Sequence, residues 1–480
     1  MCGVLGIFNR TRAVSELYEG LIALQHRGQD SAGIITYDEM FHLKKGNGLV
    51  SRIFNEKNLS RLVGKAGIGH VRYPTVGPGS IEDAQPFFVN APFGIALVHN
   101  GNVTNYFDLR EDLAKNSFRQ LNSYSDGEAI LNVLADEISK RNIKSFGSKS
   151  VFGAVEGVFK RVKGSYSVVA LIANKGILAF RDAHGIKPLI FGKKNNGFIF
   201  ASESTAFDLL DYKIIRDVRP GEAIFIDHSL KVYSQTIQTK THAPCIFEWV
   251  YFARPDSIID GIGVYEARIR LGNNLAKECI KANLKPDVVM PVPDTARAAA
   301  TSLAKMMGVD EREGLIKNRY IARTFIMPRT ENRGIAVRQK LNPIRSEIQD
   351  RKVLIVDDSI VRGTTSKEIV GLVRDAGAKE IYYGVSSPPL KYPCVYGIDM
   401  MTRGEFIARK HSVETIRKLI GADVLIYQTY QGLIDGVRGD NQKQKFCTAC
   451  FSGEYPTRIT QKDMRRMECD RCIVDRLNNK

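Results

Sequence analysis

Three groups of residues have types and spacing suited to chemistry. Cys2 stands directly behind Met1. Methionine is normally trimmed when a small residue follows it, and trimming would set the Cys2 thiol beside a free α-amine. An α-amine with an ordinary pKa of roughly 7.7–8.0 is partly neutral near pH 7 and can take the thiol proton, so nucleophile and base would share one residue. The plain alternative is a buried Cys on an edge strand. The second group is VLIVDDSIVRGTT (353–365), an apolar run ending in two carboxylates and then a Gly- and Thr-containing loop. At the carboxyl end of a parallel strand, the N–H groups of such a loop and of the helix it opens can wrap a monophosphate. Asp357 and Asp358 are placed to hold ribose hydroxyls, or a Mg2+ that also touches them, and Thr364 and Thr365 add hydroxyl donors. A strand, a capping Asp and a tight turn are the ordinary reading of the same stretch. The third group is the pair Cys447-x2-Cys450 and Cys469-x2-Cys472, whose spacing reads as a closed tetrahedral zinc site.

These residues need a scaffold, and 480 residues that are 44% hydrophobic and 25% charged are long for one core. A net charge of +17 favours anionic partners without choosing among phosphorylated substrates, nucleic acid and acidic surfaces. No run of about 18 apolar residues occurs and MCGVLGIFNR lacks a signal-peptide pattern, so a cytoplasmic protein with reduced thiols and no membrane contact is expected. Residues 2–8 and 33–37 read as strands. Between them Val14, Leu17, Leu21 and Leu24 recur at helical spacing until Gly28. β-rich stretches fill 66–104 and 165–233, and the capping-box spacing of Ser125 and Glu128 predicts a helix over AILNVLADEI. After about 240 the pattern alternates: helices near 265–282, 296–307 and 364–376, with strands DVVMPV, KVLIVD and EIYYGVS between and after them. Such alternation predicts a parallel sheet with helices on both faces. Domains are therefore expected at 2–240 and 255–440, followed by a basic, Cys-containing tail at 441–480.

CGVLGIF, HRGQDSAG (26–33), GHVRYPTVG (69–77), HNGNVTN (99–105) and SDGE (125–128) follow one another in the order and spacing of the N-terminal-nucleophile glutaminase domain. The first 230 residues or so thus resemble class II glutamine amidotransferases, which implies an αββα sandwich of α+β class. The resemblance implies that Cys2 attacks a glutamine amide. It implies that Asn100 and the Gly101 N–H stabilise the oxyanion, and that Arg72 and Asp126 bind the α-carboxylate and α-amine of glutamine. Taken singly, Arg72 reads as a surface residue, Asp126 as a helix-dipole partner and Asn100-Gly101 as a hairpin turn. Residues 353–365 resemble the signature of type I phosphoribosyltransferases. PVPDT (291–295), GLIKNRYIARTFIMP (314–328), KLNP (340–343), SSPP (386–389) and YGIDM (396–400) extend the resemblance to the amidophosphoribosyltransferase family over nearly the whole chain. That family moves ammonia from glutamine onto phosphoribosyl pyrophosphate at the first committed step of purine synthesis.

The resemblance implies that Asp357, Asp358, Ser359, Val361, Arg362, Gly363, Thr364, Thr365 and Lys317 bind phosphoribosyl pyrophosphate, and that Thr295, Asp357 and Asp358 hold Mg2+. Thr295 is followed by Ala296, where many relatives carry a second hydroxyl residue. Segment 317–341, with seven Lys or Arg and one acid, is expected to be a loop that closes over the pyrophosphate. Cys245, Cys394, Cys447 and Cys450 match the ligands of a 4Fe-4S cluster in one branch of the family, which competes with zinc for Cys447 and Cys450. Cys279 lies on a helical pattern and is expected in the core. Purine nucleotides as feedback inhibitors and a homotetramer are also implied. Another class II amidotransferase would lack VDDSIVRGTT, and a nucleic-acid-binding regulator would show a DNA-binding helix pair and need no Cys2.

Overall fold

The computed structural model describes the chain except residues 10, 74–79, 196, 319–340, 401 and 478–480, and the side chains of 470–477. Strand β1 (Gly3–Phe8) is buried along nearly its whole length, and its side chains alternate between two cores. Val4 enters a core between two sheets, while Leu5 and Ile7 enter the core beneath helix Val14–Ala23. Further strands follow: β2 (Ser31–Asp38), β3 (Met40–Asn47), β4 (Ala66–Arg72), β5 (Phe87–Val89), β6 (Ile95–Val103) and β7 (Gly164–Ile172). β8 (Gly176–Arg181), β9 (Ile190–Lys194), β10 (Gly197–Ala201), β11 (Lys213–Asp217), β12 (Glu222–Asp227) and β13 (Val232–Thr236) complete this half. They form two antiparallel sheets, one of order β11-β9-β10-β1-β4-β2-β3 and one of order β13-β12-β8-β7-β6-β5. Ile68, Val98, Val169, Phe200 and Ile224 meet between the sheets. Helices Tyr106–Asn116, Asp126–Ser139 and Ser148–Arg161 cover the outer face of the second. The expected αββα sandwich is therefore present.

One local expectation is corrected and one alternative reading is excluded. Helix Asp126–Ser139 forms, but Ser125 makes no side-chain cap. The Glu128 carboxylate instead accepts from the N–H groups of Asn122 and Ser123 and from Ser123 Oγ, fastening the preceding loop. Asn100-Gly101 is not a turn; both lie inside β6, opposite Ser167 and Tyr166 of β7.

The second half begins with a hairpin of β14 (Ile258–Ile259) and β15 (Ile262–Gly263), then helix Val264–Lys281. β16 (Val288–Pro291) is followed by helix Arg297–Met307 and an antiparallel pair, β17 (Leu315–Lys317) and β18 (Leu341–Pro343). The basic segment expected to close as a loop lies between that pair, mostly outside the described residues. β19 (Lys352–Asp357), helix Thr364–Asp375, β20 (Glu380–Val385), helix Val413–Ile420 and β21 (Val424–Tyr427) complete a parallel sheet of order β16-β19-β20-β21. Ile355, Ile369 and Tyr383 pack on one face, and Leu275, Cys279 and Leu354 on the other. Every helix and strand expected in this half forms within a residue or two, and β21 extends the sheet beyond them. Among the described residues, no helix is long and apolar enough to cross a membrane.

Two candidate active sites and a buried thiol cluster

The first site gathers at the ends of β1, β4 and β6. Cys2 is buried, its backbone N donates to Asn100 Oδ1 at 3.1 Å, and its Sγ lies 3.6 Å from the Tyr73 carbonyl. Asn100 Nδ2 is buried and has no hydrogen-bond partner among the described residues. An amide that accepts from the candidate nucleophile's own residue, with a second donor beside it, is suited to receive a developing oxyanion. Gly101 follows at φ +153, and a Cβ there would collide with the Ser165 carbonyl oxygen. The position therefore requires glycine. Asp126, the first helical residue, turns to the same strand: Oδ2 accepts from Val103 N at 2.9 Å and Oδ1 lies 3.6 Å from His99 Nδ1. Arg72 is buried, not a surface residue, and faces Asp30 at 3.4 Å and Asp83 at 3.8 Å. Burial depresses His99, and pushes His70 down to about 3, so both imidazoles are neutral at pH 7.

The second site lies at the carboxyl ends of β16 and β19. Asp358 N donates to Asp357 Oδ1 at 2.8 Å, and Tyr383 OH donates to Asp357 Oδ2 at 2.5 Å. Thr295 Oγ1 and Ser359 Oγ donate to Asp358 at 2.5 and 2.6 Å. Burial and the neighbouring Asp358 push Asp357 up to about 7, and burial raises Asp358 as well. Two adjacent buried carboxylates with a Thr hydroxyl at their edge are a donor set that suits a hard divalent cation. Gly363, at φ +79, opens helix Thr364–Asp375 and leaves Thr364 and Thr365 exposed at its start. Beside it a cavity of about 510 Å3 is bordered by Arg362, Lys367 and Lys410. Arg362 is paired with Glu405, the Val361 carbonyl accepts from Ile407 N, and Lys317 Nζ donates to Asp294 at 2.9 Å. The loop and both carboxylates are thus brought together, with Lys317 reaching the site through Asp294.

Cys245, Cys394, Cys447 and Cys450 are buried in a single core, and Cys245 bridges Cys447 in a parallel register. Burial raises Cys245 to about 11 and Cys447 and Cys450 well above the ordinary thiol range. Cys469 is exposed on helix Gln461–Leu477 and does not belong to that core. The Cys472 side chain lies outside the described residues. Among the described residues, no three His, Cys, Asp or Glu side chains are drawn together as a site for a single ion. The four thiols are nonetheless a fitting donor set for a cluster held by four thiolates.

A family model for a glutamine amidotransferase domain matches residues 75–209, and one for a phosphoribosyl transferase domain matches 262–387. The amidophosphoribosyltransferase of Pseudomonas aeruginosa is 49% identical over 95% of this chain and 93% of its own length. Those of Escherichia coli and Saccharomyces cerevisiae are 45% and 43% identical, covering 95% and 98% of this chain and 93% and 95% of their own. The chain belongs to the amidophosphoribosyltransferase family. Among solved structures, the glutamine phosphoribosylpyrophosphate amidotransferase from B. subtilis complexed with ADP and GMP matches at a TM-score of 0.86 and 39% identity, over 96% of this chain and 98% of that one.

Around the two sites of this amidophosphoribosyltransferase fold stand residues that sequence reasoning left without a role. Arg27 is fully buried, and its Nε donates to the Cys2 carbonyl at 2.9 Å. Its guanidinium also pairs with Glu203 and, at 2.9 and 3.0 Å, with Glu248. Glu203 in turn accepts from Arg254 N and Ser257 Oγ. Arg27 lies inside HRGQDSAG, and Glu248 stands three residues after Cys245 in CIFEWVYFARPDS, which was the available signal. Their pairing spans 221 positions and has no local signature. Tyr383, inside the buried strand EIYYGVS, was legible only as core.

Proposed function

We propose that the chain catalyses the reaction of its family: ammonia released from glutamine displaces pyrophosphate from phosphoribosyl pyrophosphate, yielding 5-phosphoribosylamine and glutamate at the entry to purine nucleotide synthesis. The arrangement of Cys2 on Asn100, with the buried Nδ2 of that residue unpartnered among the described residues, carries the reading. With Met1 removed, the Cys2 α-amine takes the thiol proton and the thiolate attacks the amide carbon of glutamine. Asn100 Nδ2–H and the Gly101 N–H hold the resulting oxyanion. The C–N bond breaks as the amine returns the proton to the leaving ammonia, and water then hydrolyses the thioester to glutamate. Arg72 receives the α-carboxylate of glutamine, exchanging or sharing its present partners Asp30 and Asp83, and Asp126 faces the α-amine.

In the second site, the loop Ser359–Thr365 and the start of its helix bind the 5-phosphate, and Asp357 and Asp358 orient the ribose hydroxyls. Mg2+, when bound by Asp357, Asp358 and Thr295, would neutralise charge on the departing pyrophosphate. Lys317, and Arg362 beside the loop, add positive charge. Ammonia forms its bond to the anomeric carbon as the bond to pyrophosphate breaks. Cys245, Cys394, Cys447 and Cys450 are proposed to hold the 4Fe-4S cluster, with zinc the weaker candidate. Equal iron and sulfide without stoichiometric zinc, in protein purified without oxygen, is the expected analysis. The ADP and GMP in the B. subtilis relative support inhibition by purine nucleotides, and a cytoplasmic homotetramer completes the proposal.

The decisive experiment is pyrophosphate release measured with glutamine and with free ammonia. Cys2→Ala is expected to abolish the first and spare the second. Loss of both would contradict separate sites.

A further inference from the structure

Lys187, in the connection from β8 to β9, is fully buried. Its carbonyl oxygen accepts from Ser167 Oγ at 2.9 Å and from Arg181 Nε at 2.6 Å. Ser167 is the cross-strand partner of Asn100 on one side and of Arg181 on the other. The lysine backbone is therefore moored to the strands that carry the oxyanion donors. Its Nζ donates to Met1 Sδ at 2.7 Å, and among the described residues no carboxylate lies within salt-bridge distance of it. A buried ammonium satisfied only by a thioether is costly and persists where the fold has a use for the charge.

Met1 is 1% exposed, so its side chain fills the space in front of that ammonium. Trimming removes the thioether and leaves the α-amine of Cys2 as the new chain terminus. We propose that Lys187 is a positioning residue for the nucleophile: its buried ammonium, facing the Cys2 α-amine once Met1 is gone, keeps that amine unprotonated so that it can accept the thiol proton. Two cations side by side in a buried site disfavour each other, and the weaker base yields its proton. The amine then donates one N–H to Asn100 Oδ1 and directs its lone pair to Sγ–H.

The groups around the terminus act together. Arg27, on the Cys2 carbonyl, works in the same sense as Lys187; Glu248 opposes both; the buried Cys245 and Cys447, within electrostatic reach of Lys187, oppose it as thiolates; His70, buried nearby, is neutral. With Met1 still attached, the terminal amine is pushed down to about 5, first by burial, with Lys187 and then Arg27 adding to it against the Cys2 thiol and Glu248.

The inference rests on Cys2 as the nucleophile. The test compares Lys187→Met and Lys187→Arg with the unaltered enzyme in glutamine-dependent kcat/KM across pH, using activity with free ammonia to verify folding. The acidic limb is expected to move up by about one pH unit in Lys187→Met and to hold its place in Lys187→Arg. A limb that stays put in the first variant, or moves equally in both, overturns the role of Lys187. Should Lys187→Met lose its activity with ammonia, the unaltered enzyme and Lys187→Gln decide. Acylation of the Cys2 α-amine is followed against pH by mass spectrometry of the N-terminal peptide. A titration at the ordinary value of roughly 7.7–8.0 overturns the proposal, as does a low one that stays in place in Lys187→Gln, whereas a low one that moves up in Lys187→Gln supports it. Glutamine use surviving in Cys2→Ala would instead remove the nucleophile itself, a separate failure.

Discussion

Gly101 has two constraints that no other residue type meets. Its φ of +153 suits a residue without Cβ, and the space a Cβ would need is taken by the Ser165 carbonyl. Gly101→Ala is therefore expected to shift β6 against β7 and displace the proposed oxyanion donors. Glutamine-dependent kcat should fall by about 10²–10³-fold, measured beside the rate with free ammonia. An unchanged glutamine rate would mean that the donors lie elsewhere. Single residues differed in how far the sequence exposed them. Cys2 could be proposed from the sequence because the chemistry assigned to it depends on chain position alone. Asn100-Gly101, taken by itself, had the composition of a turn, and only neighbouring motifs argued against that reading. Arg27 could not be assigned, because its function lies in partners brought to it by the fold.

At the scale of elements, strands buried on both faces were the most legible. β1 and β19 are continuous apolar runs whose ends are marked by polar residues, and helix and strand alternate visibly after residue 240. The capping box at Ser125 failed because Glu128 is used to fasten the loop before it, a competing local bond that spacing cannot reveal. The hairpin β14–β15 meets β11 through a pair of acids. Asp217 accepts from Asp260 N at 3.0 Å, and Asp260 forms a two-point ion pair with Arg181. Burial and the nearby Asp260 push Asp217 up to about 6, against the pull of Arg181. A carboxyl raised in the folded state favours folding below its unfolded pKa of about 3.9, and that contribution is lost as pH rises through about 6. Asp217→Asn retains the acceptor and removes the charge. Its Tm should exceed that of the unaltered protein by about 2 °C at pH 8 and match it at pH 4, by calorimetry.

The molecule as a whole is fastened through charges buried where its halves meet. Burial opposes ionisation of Glu203, yet Arg27 and then His26 outweigh it and hold the carboxyl well below its usual range. Such a group stabilises the fold above its unfolded pKa of about 4.3, and the contribution is lost as pH falls through the folded value. Glu203→Gln is expected to cost about 3 kcal/mol near pH 7, because Arg27 loses one of two buried partners. The difference should shrink as the pH is taken below about 4, in denaturant titrations at each pH. A constant difference would assign the effect to packing instead. Long-range convergence of this kind, like that of the four buried cysteines, is settled by topology and leaves little trace in local spacing.

Residues 395–397 of the second half rest directly on β6 and β7. Asn102 Nδ2 donates to the Val395 carbonyl at 3.0 Å and Ser165 Oγ to that of Tyr396 at 3.1 Å. Gly397, at φ +98, leaves no room for a Cβ against the Gly101 backbone. The gene consequently has no clean division of labour. A selection for mutants that grow on ammonia but starve when glutamine is the nitrogen donor should recover lesions near codon 101 and also near codon 397, the latter almost four hundred codons from the proposed nucleophile.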